Sequence, residues 1–292
     1  MQVAYYPGCT IKVSAQHHER AALAVLRALN IELCELPEWN CCGVLHSLTD
    51  DNLIRHMAPI RMFARLEEQG AHEMTTLCDM CFNTLAQANT WAKERPERIR
   101  AINSTSGGEL DYDGRAQILH LLQLLRDRVG LAAIKARVRR PLRGLTIYPY
   151  YGCKLLRPSE VAMDDPETPR VLHDLMLALG ATVAEGPLQT QCCGSYHVVD
   201  REQLVTNRVA ATTDEARERG AEALVLSCPL CHYNFDSFQG SNHAALPIFY
   251  YTQLMGIAFG LEPEELGLDA HRVALLPVLL EHELVPEGVQ VN

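Results

Sequence analysis

The chain has 292 residues and carries 36 acidic against 26 basic side chains, a formal net charge of −10. That balance argues against a nucleic-acid binder, which needs clustered Lys and Arg to neutralise phosphates. The one basic run, Lys135 to Arg140, reads as a solvated helix end before Pro141. With 48% apolar residues there is material for one large domain or two medium ones.

Eleven cysteines need a reason. The count is odd, the chain is large, and the N-terminal residues Met1 to Pro7 lack a charged segment leading into an apolar one. A disulfide scaffold fits poorly, and metal or redox chemistry in a cytoplasmic protein is expected instead. The longest apolar stretch, Ala244 to Leu261, contains Pro247, Thr252 and Gln253, so a short strand followed by a buried helix is expected there and not a membrane span.

In chain order, a short apolar strand (Val3 to Tyr6) runs into Gly8-Cys9. A helix through Leu23, Leu26 and Leu29 follows, then a brief strand (Glu32 to Glu35) before Asn40-Cys41-Cys42-Gly43. A helix from Leu53 to Glu68 and a strand from Met74 to Leu77 deliver Cys78-Asp79-Met80-Cys81. From Asn103 to Gly108 the chain is polar and contains glycine, after which Ile118, Leu121, Leu122 and Leu125 recur at helical spacing.

The same order then repeats. A strand (Leu145 to Tyr148) leads to Gly152-Cys153, and a helix through Leu172, Leu175, Met176 and Leu179 follows. A strand from Thr182 to Glu185 precedes Gln191-Cys192-Cys193-Gly194. A helix from Arg201 to Arg219 and a strand from Ala223 to Leu226 end at Cys228-Pro229-Leu230-Cys231. Strands alternating with helices indicate βαβ units and parallel sheets. The expected fold is therefore α/β, two pseudo-symmetric Rossmann-like halves from an internal duplication. The expected divisions are a first cluster-binding half over 1–105, a helical connector over 106–144, a second half over 145–260 and a docking tail over 261–292.

The repeat is most specific in its cysteines. In the first half 31 residues separate Cys9 from Cys41 and 35 separate Cys42 from Cys78. In the second, 38 separate Cys153 from Cys192 and 34 separate Cys193 from Cys228. Ten cysteines thus form two sets of five: Cys9, Cys41, Cys42, Cys78 and Cys81, and Cys153, Cys192, Cys193, Cys228 and Cys231. Cys34 falls outside and is expected as a small buried hydrophobe.

Iron–sulfur clusters take thiolates, most often four. A CxxC pair opening a helix offers two sulfurs beside free N–H groups and a positive dipole, and Pro229 suits that first turn. Adjacent cysteines on an extended strand would point apart, so each Cys-Cys pair needs a bent loop, for which Gly43 and Gly194 supply the backbone. A tetrahedral zinc-thiolate site in each half is the competing reading, and it leaves one cysteine per half without a task.

These two blocks resemble the cysteine-rich domains of the B subunit of heterodisulfide reductase. The flanking residues agree: Tyr6-Pro7-Gly8-Cys9, Glu35 to Gly43, Tyr150-Tyr151-Gly152-Cys153, Arg157-Pro158, and Cys228 to His232. The resemblance implies two noncubane [4Fe-4S] clusters, one per set, and reversible two-electron conversion of a small disulfide to dithiol. It implies partners too, one a ferredoxin-like subunit with ordinary cubane clusters and the other a flavin-bearing subunit. This chain has no GxGxxG after a strand and no Walker motif, so neither flavin nor nucleotide is expected in it.

Related cysteine-rich domains also resemble parts of other oxidoreductase complexes, where the clusters relay electrons without cleaving a disulfide. Lys12, Lys154 and Arg157 follow the leading cysteines and are candidates to meet an anionic substrate or to offset cluster charge. His46 and His197, each three residues past the Cys-Cys-Gly glycine, are candidate proton donors. His232 is expected to hydrogen-bond a cluster sulfur, and His17 and His18 are expected at the surface.

Overall fold

The computed structural model describes residues 1–44, 53–105, 112–239 and 245–286. The first half runs β1 (Gln2–Tyr5), α1 (Cys9–Val13), α2 (Gln16–Ala28), β2 (Glu32–Glu35), α3 (Leu53–Glu68), β3 (Glu73–Thr76), α4 (Asp79–Glu94), α5 (Pro96–Thr105), β4 (Gln117–His120) and α6 (Leu121–Leu124). A π-helical turn (Leu125–Val129) and α7 (Leu131–Arg137) lead to the second half. That half comprises β5 (Thr146–Pro149), α8 (Val171–Leu179), β6 (Thr182–Val183), α9 (Glu202–Glu218), β7 (Ala223–Leu226), α10 (Pro229–Ser237), β8 (Ile248–Tyr250) and α11 (Tyr251–Phe259). Helices α12 (Pro263–Leu266) and α13 (Leu276–Glu281) follow.

Two four-stranded sheets result, ordered β2-β1-β3-β4 and β6-β5-β7-β8. Every pairing is parallel, with Val3 opposite Leu33 and Ala4 opposite Met74 in one sheet, and Ile147 opposite Val183 and Ala223 in the other. The α/β duplication expected from the sequence is therefore the observed fold. In both sheets the order reverses between the first and third strands. Such a switch point opens a crevice beyond the carboxyl ends of the strands.

The connector differs from its expected form. Ile118 does not lie on a helix with Leu121, Leu122 and Leu125: it belongs to β4, which pairs with β3 and completes the first sheet. The chain turns at His120, whose Nδ1 accepts from Leu122 N while Gln123 Oε1 accepts from His120 N. The second half repeats the turn, with Gln253 Oε1 accepting from Tyr250 N. Strand and helix each contribute apolar positions, and their sum mimics one helical period.

The halves share a continuous apolar core. Helix α2 of the first packs on α11 of the second, where His18 Nδ1 lies 3.0 Å from Thr252 Oγ1. Asn83 on α4 reaches across to donate to the Lys154 and Arg157 carbonyls at 2.9 and 2.8 Å. The C-terminal segment crosses both halves. Asp269 pairs with Arg20, Glu265 with Arg27, and Glu222 with His282, while Arg140 donates to the Leu284 carbonyl. Exposed pairs of this kind contribute little each, so the main attachment is burial of the segment's apolar side chains, Leu266 against α11 among them. Among the described residues no helix is long and apolar enough to cross a membrane.

Gly256 in α11 makes that attachment possible, because a Cβ there would stand 2.2 Å from Leu266 Cδ2. Gly256→Val is expected to lose about 1–3 kcal/mol through overpacking, read as a lower midpoint of thermal unfolding. An unchanged midpoint would mean that the C-terminal segment is not seated on α11.

Candidate functional site

Each set of cysteines gathers at the carboxyl end of its sheet. After β1, Cys9 opens α1; after β2 come Cys41 and Cys42; after β3, Cys78 caps α4 and Cys81 lies within its first turn. After β5 comes Cys153, and after β6 come Cys192 and Cys193. After β7, Cys228 caps α10 with Pro229 at its first position and Cys231 behind it. Residues as distant in the chain as Cys9 and Cys81 meet because each strand ends at the same crevice.

The thiols are close enough to hydrogen-bond one another. Cys42 is pulled down to about 3, first by a bond from Cys41 and then by one from Cys81. Cys192 is pulled down to about 2 in the same manner by Cys153 and Cys193. Their donors go the other way. Hydrogen bonding to Cys42 and burial push Cys41 up, and bonding to Cys192 and burial push Cys153 up. Cys81 and Cys231 rise as well, through their cysteine neighbours before burial, and Cys193 rises to about 12. Left to themselves the thiols thus favour one thiolate per set, and all five sulfurs would ionise together only around a compact positive body, since metal-bound thiols ionise outright.

The backbone is shaped for such a body. Gly8 and Gly152 hold φ of +74° and +64°, and a Cβ on them would stand 2.8 Å from Cys81 Sγ and 3.4 Å from Cys231 Sγ. Past each Cys-Cys pair, Gly43-Val44 and Gly194-Ser195 all have positive φ, which makes the bend that the adjacent cysteines need. In the second half Ser195 N and Asn234 Nδ2 donate to Cys193 Sγ at 3.4 and 3.3 Å. The residues thus fit a many-thiolate iron–sulfur group better than a four-ligand ion, because dedicated local structure brings five sulfurs, not four, to each crevice.

One device that the sequence reading overlooked holds each Cys-Cys loop. Tyr6 Oη donates to the Asn40 carbonyl at 2.8 Å, and Tyr150 Oη donates to the Gln191 carbonyl at 2.5 Å. Each tyrosine lies three residues before a leading cysteine, and each acceptor lies immediately before the Cys-Cys pair. That repeated offset was the signal available in the sequence.

The two sets adjoin. Ser227 Oγ, just before Cys228, donates to Asp79 Oδ2, just after Cys78, at 3.1 Å. A small cavity lined by Cys153, Cys192, Cys193, Cys228 and Cys231 is walled on its far side by Asp79 and Met80 of the first half. Tyr250, fully buried with a hydroxyl that has no partner among the described residues, lies within electrostatic reach of both Cys228 and Cys78. Cys9 and Cys41 are exposed, whereas Cys153 and Cys192 are only half-buried, so both sets can be approached from solvent on one flank.

The other candidates are placed variously. Lys154 lines the cavity and its Nζ contacts Asn83 Oδ1 at 3.3 Å. Lys12 is held by two carboxylates, Glu19 at 2.9 Å and Glu35 at 2.7 Å. Arg157 is bound to Glu167 and to the Pro166 carbonyl. His197 is exposed, 3.3 Å from Asp200. His46 lies outside the described residues.

Three expectations are corrected. Cys34 is exposed, because β2 is an edge strand with no strand paired to its outer side among the described residues. His18 is not a surface residue and His17 is one only in part: α11 and the C-terminal segment cover α2, His18 is fully buried, and His17 is half-buried, with burial ahead of the Arg20 charge holding it down to about 4. His232 contacts His271 Nδ1 through its Nε2 at 3.0 Å, where a sulfur partner was expected.

Comparison with known proteins agrees with this layout. The CCG cysteine-rich domain family matches residues 3–86 and 147–236. Over 99% of both chains the sequence is 26% identical to the B subunit of the ferredoxin/F(420)H(2)-dependent CoB-CoM heterodisulfide reductase of Methanosarcina acetivorans. It is 28% identical to a heterodisulfide reductase B-subunit-like protein of Archaeoglobus profundus, over 89% of this chain and 91% of that one. The 8-methylmenaquinol:fumarate reductase membrane anchor subunit of Wolinella succinogenes is 27% identical, over 92% and 95%. A hypothetical protein from Helicobacter pylori has the same fold (TM-score 0.75, 13% identity), this chain being covered to 94% and spanning about half, 52%, of that one. Because the two matched segments span more than half of the sequence, each around one complete set of five cysteines, the chain belongs to the CCG cysteine-rich domain family.

Proposed function

We propose that this chain is the iron–sulfur catalytic subunit of a heterodisulfide reductase-like complex, acting on a small disulfide or its two thiols. The observation that carries the proposal is the adjacency of two complete five-cysteine sets at one seam, joined through Asp79 and Ser227 and open to solvent beside Cys9 and Cys41. Relatives named as the B subunit of heterodisulfide reductase align with nearly the whole chain, which supports an oxidoreductase role.

Cys9, Cys41, Cys42, Cys78 and Cys81 would hold one [4Fe-4S] cluster, and Cys153, Cys192, Cys193, Cys228 and Cys231 the other. Their noncubane type follows from the family resemblance. When bound, the clusters supply one-electron redox chemistry and iron sites for sulfur. The overall conversion takes a disulfide, two electrons and two protons to two thiols, so a pair of one-electron centres gives the right count. The residues of this chain align and neutralise. Tyr6 and Tyr150 fix the Cys-Cys loops, the helix N-termini at Cys78 and Cys228 favour negative charge on sulfur, and Lys154 offers the cavity a cation. Electrons come from a ferredoxin-like partner, with a flavin-bearing partner behind it, in the cytoplasm.

A relay reading, in which the clusters pass electrons without touching a disulfide, is favoured by the Wolinella relative, whose name describes part of a fumarate reductase. Turnover separates the two readings. Replacing Cys192 and Cys193 by Ser is expected to remove half the iron and to abolish reduction of a small disulfide by an artificial donor. Disulfide turnover that survives with one set dismantled contradicts the paired-site mechanism. A fully loaded wild-type protein with no disulfide activity, in the presence of its electron-donating partners, would leave the relay.

The tyrosine bonds give a second expectation. Tyr6→Phe removes one hydrogen bond, about 0.5–1.5 kcal/mol, and frees the Asn40 carbonyl that positions Cys41. Iron loss from the first set under mild chelation should accelerate several-fold while the second set keeps its iron, and Tyr150→Phe should do the reverse. Equal loss from both sets in either variant contradicts the local role.

A further inference from the structure

Away from the cysteine sulfurs, three histidines from distant parts of the chain converge. His17 belongs to α2, His232 to α10, and His271 to the segment after α12. One ring nitrogen from each lies within 4.8 Å of the other two. His232 Nε2 is 3.0 Å from His271 Nδ1, and the His17 ring centroid is 5.3 Å from that of His232 and 5.1 Å from that of His271. Two nitrogens bound to a tetrahedral ion at about 2.0–2.1 Å stand roughly 3.3 Å apart. The separations are therefore of the right order for three ligands on one ion.

The rings are held in place by their surroundings. Tyr250 stacks on His232 at 4.4 Å, with 13° between planes, and its opposite face is stacked by His18 at 3.9 Å and 2°. Gly267, at φ +64°, brings the backbone leading to His271 down onto α2, where a Cβ would stand 2.6 Å from His17 Cβ. His17 Nε2 is buried with no hydrogen-bond partner among the described residues. A buried polar nitrogen without a partner is costly, and a ligand facing it removes that cost.

We propose that His17, His232 and His271 form a binding site for a divalent transition-metal ion of the zinc type, separate from the two cysteine sets. Three neutral imidazoles with no carboxylate among them suit zinc, and three protein ligands leave a fourth position for water. Access is provided by the open cleft beside His17, lined also by Lys12, Glu19 and Asp269.

Without an ion, Gln253 Nε2 donates to His271 Nε2 at 2.8 Å, which leaves the His271 proton on Nδ1, directed at His232 Nε2. Binding through Nδ1 moves that proton through solvent to Nε2 and turns both lone pairs to the ion; Nε2–H then faces the Gln253 amide nitrogen donor to donor, so the His271 ring draws away from Gln253 towards the ion. Gln253 keeps its bonds to the Leu266 and Gly267 carbonyls. No oxidant or reductant is required. The ion would staple the first half, the helix that carries Cys228 and Cys231, and the C-terminal segment. This inference stands apart from the proposed function, since none of its three ligands is a cysteine of either set.

The test is zinc binding by the full chain, prepared anaerobically with its cysteine sets already loaded with iron and sulfide. After exposure to zinc ion and desalting, one equivalent is expected to remain. Its X-ray absorption should show a nitrogen shell at about 2.0–2.1 Å and no sulfur shell at about 2.3 Å. His17→Ala and His271→Ala should each lower affinity at least tenfold. Three results would overturn the site: no retained zinc, a sulfur shell, or a nitrogen shell unchanged in both variants. The wild-type spectrum decides the matter even if one variant folds poorly.

Discussion

A buried carboxyl shared by two helix starts is the contact on which the rest of this molecule turns. Asp79 is the first residue of α4, is almost fully buried, and accepts from Ser227, two residues before α10. His120, whose Nδ1 is engaged by Leu122, donates from Nε2 to the Leu77 carbonyl at 3.3 Å, and that nitrogen stands 3.1 Å from Asp79 Oδ1, which has no hydrogen-bond partner among the described residues. A buried polar group of this kind is tolerated only where donors and dipoles surround it. The Ser227 bond brings the N-termini of α4 and α10 together, and those are the turns that carry Cys78, Cys81, Cys228 and Cys231. The cysteine sets of the two α/β units thereby lie side by side.

The duplicated fold explains why the site has this shape. In each half three strands end at one switch point, and each strand delivers its share of sulfurs: one, then two, then two. The glycines before the leading cysteines and after the Cys-Cys pairs occupy positive-φ positions in both halves, so the same backbone solution is used twice. Asymmetry enters only at the margins. The first set is more exposed at Cys9 and Cys41, while the second has an additional amide, Asn234, on Cys193.

Much of this was legible in the sequence, for an identifiable reason. The parallel α/β duplication follows from strands and helices repeated beside cysteines at nearly constant spacing, and motif and spacing are local properties of the chain. What escaped depended on partners remote in sequence. Ile118 reads as helical because β4 and α6 happen to share an apolar period across the turn at His120. His17 and His18 look like surface residues until α11 is laid over α2, and Cys34 looks buried until β2 is found at a sheet edge. The Tyr6 and Tyr150 bonds were encoded at matching offsets, but only the fold shows which carbonyl each hydroxyl reaches.

The central claim is that both cysteine sets hold iron–sulfur bodies side by side. Mössbauer spectroscopy of anaerobically reconstituted, iron-57-enriched protein, with chemical analysis of iron and sulfide, tests it most directly. The account predicts two cluster equivalents, about eight irons per chain, with part of the spectrum altered when a small thiol is added. Colourless, iron-free protein, or zinc in place of iron at the cysteines, would contradict it.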